Sequence, residues 1–272
     1  MRYFFNSSLV AVASVLALAT LPAAGQTAAA FKPARLADGH PNLNGIWQAM
    51  TPAYWDLEPH AASQSAVLEA GALLAVPAGI GIVEGGTIPY KPEALKKRDE
   101  NRASRMKLDP EVRCYLPGVP RATYMPYPFQ IFQSTKAFTI AYEFDGAFRN
   151  VFLKDPGPAP IDTWIGQSYG KWEGDTFVVD VTGLDERTWF DRSGNYHSDT
   201  LHVVERYTLR SPEVLWYEAT IDDPKTFTKS WKISFPLYKH VEPNAQLMEF
   251  KCVEFVEDLM YGQFSKKPAT KE

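Results

Sequence analysis

Between positions 190 and 209 the chain reads FDRSGNYHSDTLHVVERYTL, which brings Asp191, Arg192, His197, Asp199, His202, Glu205 and Arg206 into one turn and the strand that follows it. A histidine set among carboxylates in a turn suits general-base chemistry, because its unperturbed pKa lies near neutrality. On this reading His197 is the base, Asp191 orients it, and Arg121 or Tyr124 stabilises developing negative charge. Alternation along 201–209 sends Leu201, Val203, Glu205, Tyr207 and Leu209 to one face, and His202, Val204, Arg206 and Thr208 to the other. Glu205 then stands in an apolar row. A buried carboxylate needs a partner, so Glu205 calls for Arg121, Arg149 or a tyrosine. It is read either as a catalytic acid or base or as half of a structural ion pair. Tyr124, Tyr127, Trp189 and His202 complete the candidate set as ligand contacts. The plainer reading of His197 is a solvated turn histidine. In either case it is expected to sit at the surface, where its removal changes stability by no more than about 0.5 kcal/mol.

A metal is the competing explanation for His197, Asp199, His202 and Glu205. His202 and Glu205 lie three apart on a strand and leave opposite faces, and no HExxH, HxH or paired-cysteine pattern occurs. No metal is expected. The chain also lacks a GxSxG elbow, a dinucleotide fingerprint and a CxxCH haem site, so no cofactor is expected either.

The elements that must hold these residues are mostly strands. After about residue 128 the apolar period is two: FTIAYEFDGAFRNVFLKD (138–155) reads as a hairpin turned at Asp145-Gly146. Further strands are legible at 175–182, 201–209, 214–222, 231–238 and 246–253, before a short helix at 255–262. Consecutive strands with short turns and one apolar face predict an antiparallel sheet, curled into a calycin-like barrel or folded as a sandwich. The barrel-like core is placed at 111–264. Ahead of it, 26–110 reads as an irregular, partly helical wrap, with a weak helix at 63–74 and a stronger one at 92–106 that begins on Pro92. The tail 265–272 reads as flexible.

The first 25 residues have the order of a secretory signal peptide: Arg2, an apolar run from Leu9 to Leu21, then Ala23, Ala24 and Gly25. The apolar run falls short of the roughly 20 residues that span a bilayer as a helix, so a periplasmic or secreted protein without a stable membrane anchor is expected. The net charge is −4 with acids and bases interspersed, and no basic block points to nucleic acid. The two cysteines, Cys114 and Cys252, form an even pair that oxidation would bridge.

The run WIGQSYGKWEGDTFVVDVTGLDERTWFDRSGNYHSDTLHVVERYTL (164–209), with CYLPGVPRATYMPYPFQI (114–131) and NAQLMEFKCVEF (244–255), resembles a large family of exported bacterial proteins with a WEGDT...TWFD...HS..LH..ER signature. The resemblance implies export and one integral domain, and it brings no reaction with it. Seven Trp, 13 Tyr and 16 Phe are enough to line a pocket for a small apolar or aromatic molecule, or simply to fill a barrel. Three functions follow. The first is a cofactor-independent lyase, isomerase or hydrolase working by proton transfer on such a molecule. The second is a periplasmic binding protein without turnover, and the third is a structural partner in the envelope.

Overall fold

The alternation read along the second half of the chain resolves, in a computed structural model that describes residues 31–64, 75–261 and 263, into a closed barrel of nine strands. These are β1 (Gly45–Ala49), β2 (Phe129–Gln133), β3 (Phe138–Tyr142), β4 (Phe148–Phe152), β5 (Gln167–Glu173), β6 (Thr176–Thr182), β7 (His202–Ser211), β8 (Val214–Asp222) and β9 (Trp231–Lys239). Each strand pairs with the next, and β9 returns to β1 through Trp47↔Lys239 and Ala49↔Leu237. The fold is mainly β, as expected. The hairpin turns where Asp145-Gly146 predicts, with φ of 53° and 60° at the two residues.

Three features differ from the sequence reading. β1 comes from the segment expected only to wrap the core, and it supplies the closing strand. The sheet is not wholly antiparallel: β4 and β5 run parallel and pair at only two positions, Val151↔Ser168 and Phe152↔Tyr169. The stretch 246–253 is not a strand, and the physical reason is closure: once β1 and β9 are joined, no edge remains for it to extend. It instead runs as a strap over one end of the barrel, where Phe250 packs on Tyr127 and Phe144 and the Met248 N–H donates to Glu143 Oε2 at 2.7 Å.

The expected disulfide is present: Cys114 and Cys252 are joined, with Cα atoms 5.6 Å apart. Helix α1 (Pro92–Ala103) starts on its proline and stops at Ser104, and a short α2 (Arg105–Leu108) follows. A further short helix, α3 (Arg121–Tyr124), packs on β1, and α4 (Val256–Tyr261) lies near the C-terminus. The expected helix at 63–74 lies mostly outside the described residues, although Ser63 itself is extended and bridges to Val76. The signal-peptide segment and the tail 265–272 also lie outside them. Among the described residues, no helix is long and apolar enough to cross a membrane.

Inward side chains fill the barrel. Val203, Glu205 and Tyr207 of β7 face Tyr217 and Ala219 of β8 and Ile233 and Phe235 of β9, all buried. Tyr207 and Tyr217 meet edge to face with ring centroids 5.1 Å apart, and Tyr217 lies 5.0 Å from Phe235. The aromatic content is thus largely core.

Candidate functional site

The opening turn is held from below by α1. Gly194 has φ +82°, and a Cβ there would lie 2.6 Å from the Arg102 backbone nitrogen, so only glycine lets turn and helix approach this closely. Asp191 is wholly buried, and its carboxylate accepts four hydrogen bonds. They come from the backbone N–H groups of Leu57 (2.9 Å), Ser193 (2.9 Å) and Asn195 (3.2 Å), and from Asn195 Nδ2 (2.6 Å). Burial, with Asp56 nearby, pushes this carboxyl up to about 7 against the pull of those donors. Asp191 therefore folds the turn and ties it to the 51–58 segment; the expected hydrogen bond to His197 is not made.

His197 is not a surface residue. It is 2% exposed and packs beside Phe190. Nδ1 meets the Ser198 carbonyl at 2.8 Å; a carbonyl only accepts, so Nδ1 carries the proton, and Nε2 accepts from the Thr188 hydroxyl at 2.6 Å. Burial lowers the imidazole pKa, with partial recovery from the Ser198 carbonyl and Asp223. The expectation of near-native stability on truncation is corrected accordingly. His197→Ala should cost about 2 kcal/mol at pH 7.5, from a vacated buried site and a lost partner for Thr188. A depressed folded-state pKa stabilises fully above the unfolded value of about 6.5 and loses that contribution as pH falls. Since the variant lacks this group, its deficit should shrink in urea melts run from pH 7.5 to 5; a constant deficit would place the ring's cost elsewhere.

Arg121 does not reach His197 or Glu205. It is 1% exposed and clamps Asp109 at 2.8 and 3.0 Å and Glu111 at 2.6 Å. Glu111 in turn accepts from Arg192 at 2.9 and 2.8 Å. Burial raises the Glu111 pKa, but Arg192 and Arg121 outweigh it and hold it down at about 2. With two carboxylates already bound, Arg121 is committed to the fold. Tyr124 donates to the Phe190 carbonyl at 2.7 Å and is buried. Trp189 packs with Ala94 and Tyr196 under α1. Tyr127 is half-buried beneath the strap, lining a cavity of about 230 Å³ with Glu111, Arg192 and Phe250. His202 points outward and meets Asp180 at 3.0 Å. His197, Asp191 and Arg121 therefore belong to separate hydrogen-bond sets.

Glu205 lies inside the barrel, opposite in face to His202, as alternation requires. Its carboxylate pairs with Arg149 of β4 and accepts from Tyr207 (3.0 Å) and Tyr217 (2.8 Å). Arg149 Nε donates to Ser168 Oγ of β5 at 2.8 Å. Burial works against the guanidinium charge, and Glu205 outweighs it. Burial first, then Glu205, pushes both phenols well above their usual range, so they remain donors.

The concave surface that adjoins this cluster is a groove of about 430 Å³ at the β4–β5 seam. β4 ends at Phe152, the second of the two paired positions, and residues of the 153–166 crossing line the groove beside this seam. Gly166, at φ +69°, turns the chain into β5, where a Cβ would lie 2.8 Å from the Thr182 carbonyl. Leu116, Phe148, Phe152, Ile161, Trp164 and Ile165 make the groove apolar, Asn150, Thr163 and Gln167 add polar groups, and Arg149 and Ser168 line it as well. Phe148 and Ile161 are 61% and 71% exposed. Tyr115 stacks on Trp164 at 4.5 Å, and Arg187 lies 4.6 Å from the same ring centroid, which fixes the indole.

Comparisons with protein-family models, curated proteins and solved structures return no match.

None of the groove's apolar residues was singled out from the sequence. The available signal was β4 itself, FRNVF, whose burial runs against hydrophobicity. Phe148 and Phe152 face out while Arg149 faces in. Two outward aromatics four residues apart around an inward arginine mark a strand with something on both sides.

Proposed function

We propose that this chain is an exported small-molecule binding protein whose ligand, a small apolar or aromatic molecule, occupies the β4–β5 groove. The groove carries the reading: its volume is within the roughly 300–1,000 Å³ of small-ligand sites, and an apolar lining with a few polar groups is the usual composition. Exposed aromatics gathered in one place are costly to leave in water and gain from a covering ligand. Export is supported by the disulfide and by the residue order at positions 2–29. Binding is favoured over acid–base turnover because His197 and Asp191 spend their polar atoms on the fold and the Nη atoms of Arg121 are bound to Asp109 and Glu111.

Titrating ethylbenzene into protein labelled at isoleucine methyls should shift Ile161 and Ile165 in a saturable way. Phe148→Asp and Phe152→Asp, both at exposed positions, should weaken binding at least about 10-fold while the melting temperature stays near that of the parent. Methyl shifts confined to other isoleucines would remove this reading.

A further inference from the structure

Closing the barrel joins its outer edges but leaves one gap inside the ring, at the β4–β5 seam. Across the β3–β4 hairpin the Tyr142 N–H donates to the Ala147 carbonyl at 2.8 Å. These two residues stand opposite each other in the register that pairs Ile140 with Arg149 and Phe138 with Val151. Hydrogen-bonded pairs alternate along an antiparallel ladder, so Arg149 and Val151 turn their peptide groups to β3, whereas Phe148, Asn150 and Phe152 turn theirs to the β5 side. The parallel pairing there begins only at Val151↔Ser168 and does not reach back to Asn150 and Gln167. The chain that would continue it is drawn elsewhere. Thr163 bridges to Leu184, with its N–H on the Gly183 carbonyl and its carbonyl accepting from the Asp185 N–H, both at 2.9 Å. The Gly166 N–H turns back to the same Thr163 carbonyl at 3.2 Å. The Phe148 carbonyl and the Asn150 N–H are thus left without a hydrogen-bond partner among the described residues. They face the strip between 148–150 and 163–168, and residues on both of its sides line the groove.

We propose that the groove's ligand is a short apolar peptide that continues the ladder: the N–H of one of its residues donates to the Phe148 carbonyl, and the C=O of the same residue accepts from the Asn150 N–H. This inference rests on the groove as the binding site and names what that site recognises. The two bonds are those a parallel neighbour makes to the residues on either side of Arg149, and adding a strand to an open edge is a general mode of peptide recognition. The edge is reachable, since Asn150 is exposed and Phe148 is 61% exposed. Partners across a sheet share a face. The residue opposite Arg149 therefore turns its Cα substituent inward with that buried side chain, which favours glycine, and the groups before and after it turn outward with Phe148. The apolar body belongs on that outer side, against Phe148, Phe152 and Trp164.

Amide exchange tests the open edge on the intact protein before any ligand is added. The Asn150 N–H should exchange far faster than those of Arg149 and Val151, which are bonded to β3. A protected Asn150 would overturn the proposal, and so would protection that appears only as protein concentration rises, which would give the edge to a second copy of this chain. Binding is then measured at pH 7 with N-(phenylacetyl)glycine methylamide, with its ester analogue in which oxygen replaces the glycine N–H, and with ethylbenzene. The amide is expected to bind about 10-fold more tightly than the ester, which loses one hydrogen bond and sets an oxygen against the Phe148 carbonyl. The amide should also slow exchange at Asn150, and ethylbenzene should not. Equal affinity for amide and ester, with the Ile161 methyl shifted by both, would keep the groove as a binding site and overturn the peptide assignment. If none of the three probes shifts Ile161 or Ile165, both readings fall together.

Discussion

Replacing Glu205 with alanine is expected to lower unfolding free energy by about 3–5 kcal/mol, because breaking a buried pair strands its partner. Three groups lose an acceptor at once: the Arg149 guanidinium and the hydroxyls of Tyr207 and Tyr217. The uncompensated charge dominates the loss, so Glu205→Gln, which keeps the shape and one carbonyl oxygen, should recover only part of it. The double variant Arg149→Met/Glu205→Leu should be more stable than either single variant, since an apolar replacement of both partners removes the stranded charge. Urea unfolding of the parent and the variants at pH 7 gives the comparison directly. A Glu205→Ala midpoint equal to the parent's would mean the pair is not sequestered from water.

Reducing the disulfide is the second large effect. Cys114 and Cys252 are 138 positions apart, and closing a loop of that length stabilises by up to about 5 kcal/mol on the chain-entropy account. The loss should begin locally. The strap carrying Cys252 has no strand pairing, and its ties besides the disulfide include the packing of Phe250, the Met248 bond to Glu143 and a bond from the Phe255 N–H to the Val112 carbonyl. Dithiothreitol, or the Cys114→Ser/Cys252→Ser variant, should therefore raise amide exchange across 246–255 first and lower the urea midpoint of the whole chain. Unchanged exchange in the strap after full reduction, with thiols confirmed by alkylation, would show that packing alone holds it.

Period-two alternation carried the second half of the fold, because β6 to β9 each have one core face and one outer face. Val203, Glu205 and Tyr207 could be assigned inward from spacing alone, and so could the need of Glu205 for a cation or tyrosine. β1 escaped notice because GIWQA is short and lies in a segment of turn formers, and it becomes a strand through its partners, β2 and β9. The stretch QLMEFKCV (246–253) has strand-like composition, but composition cannot register that the barrel has already closed. His197 was misplaced for a related reason. Asn195, Ser198 and Asp199 read as a solvated turn, while the turn is covered by α1, an element nearly a hundred positions earlier. The groove depends on the 153–166 crossing lying beside a seam that pairs at only two positions, which is a property of tertiary geometry and leaves only the inverted pattern of FRNVF as its trace.

The closing strand pair has a consequence for how this chain acquires its structure. β1 finds its second neighbour in β9, so the ring is complete only when position 47 meets position 239. Contacts between such distant positions form late and slowly, because the loop they close must first give up its freedom. A nascent chain that lacks β9 has two unsatisfied sheet edges, at β1 and at β8, each able to pair with another chain. Such a polypeptide gains from being kept unfolded until its last strand is available. Cutting it between the wrap and the barrel would yield two fragments, and the one holding β2 to β9 would be an open sheet.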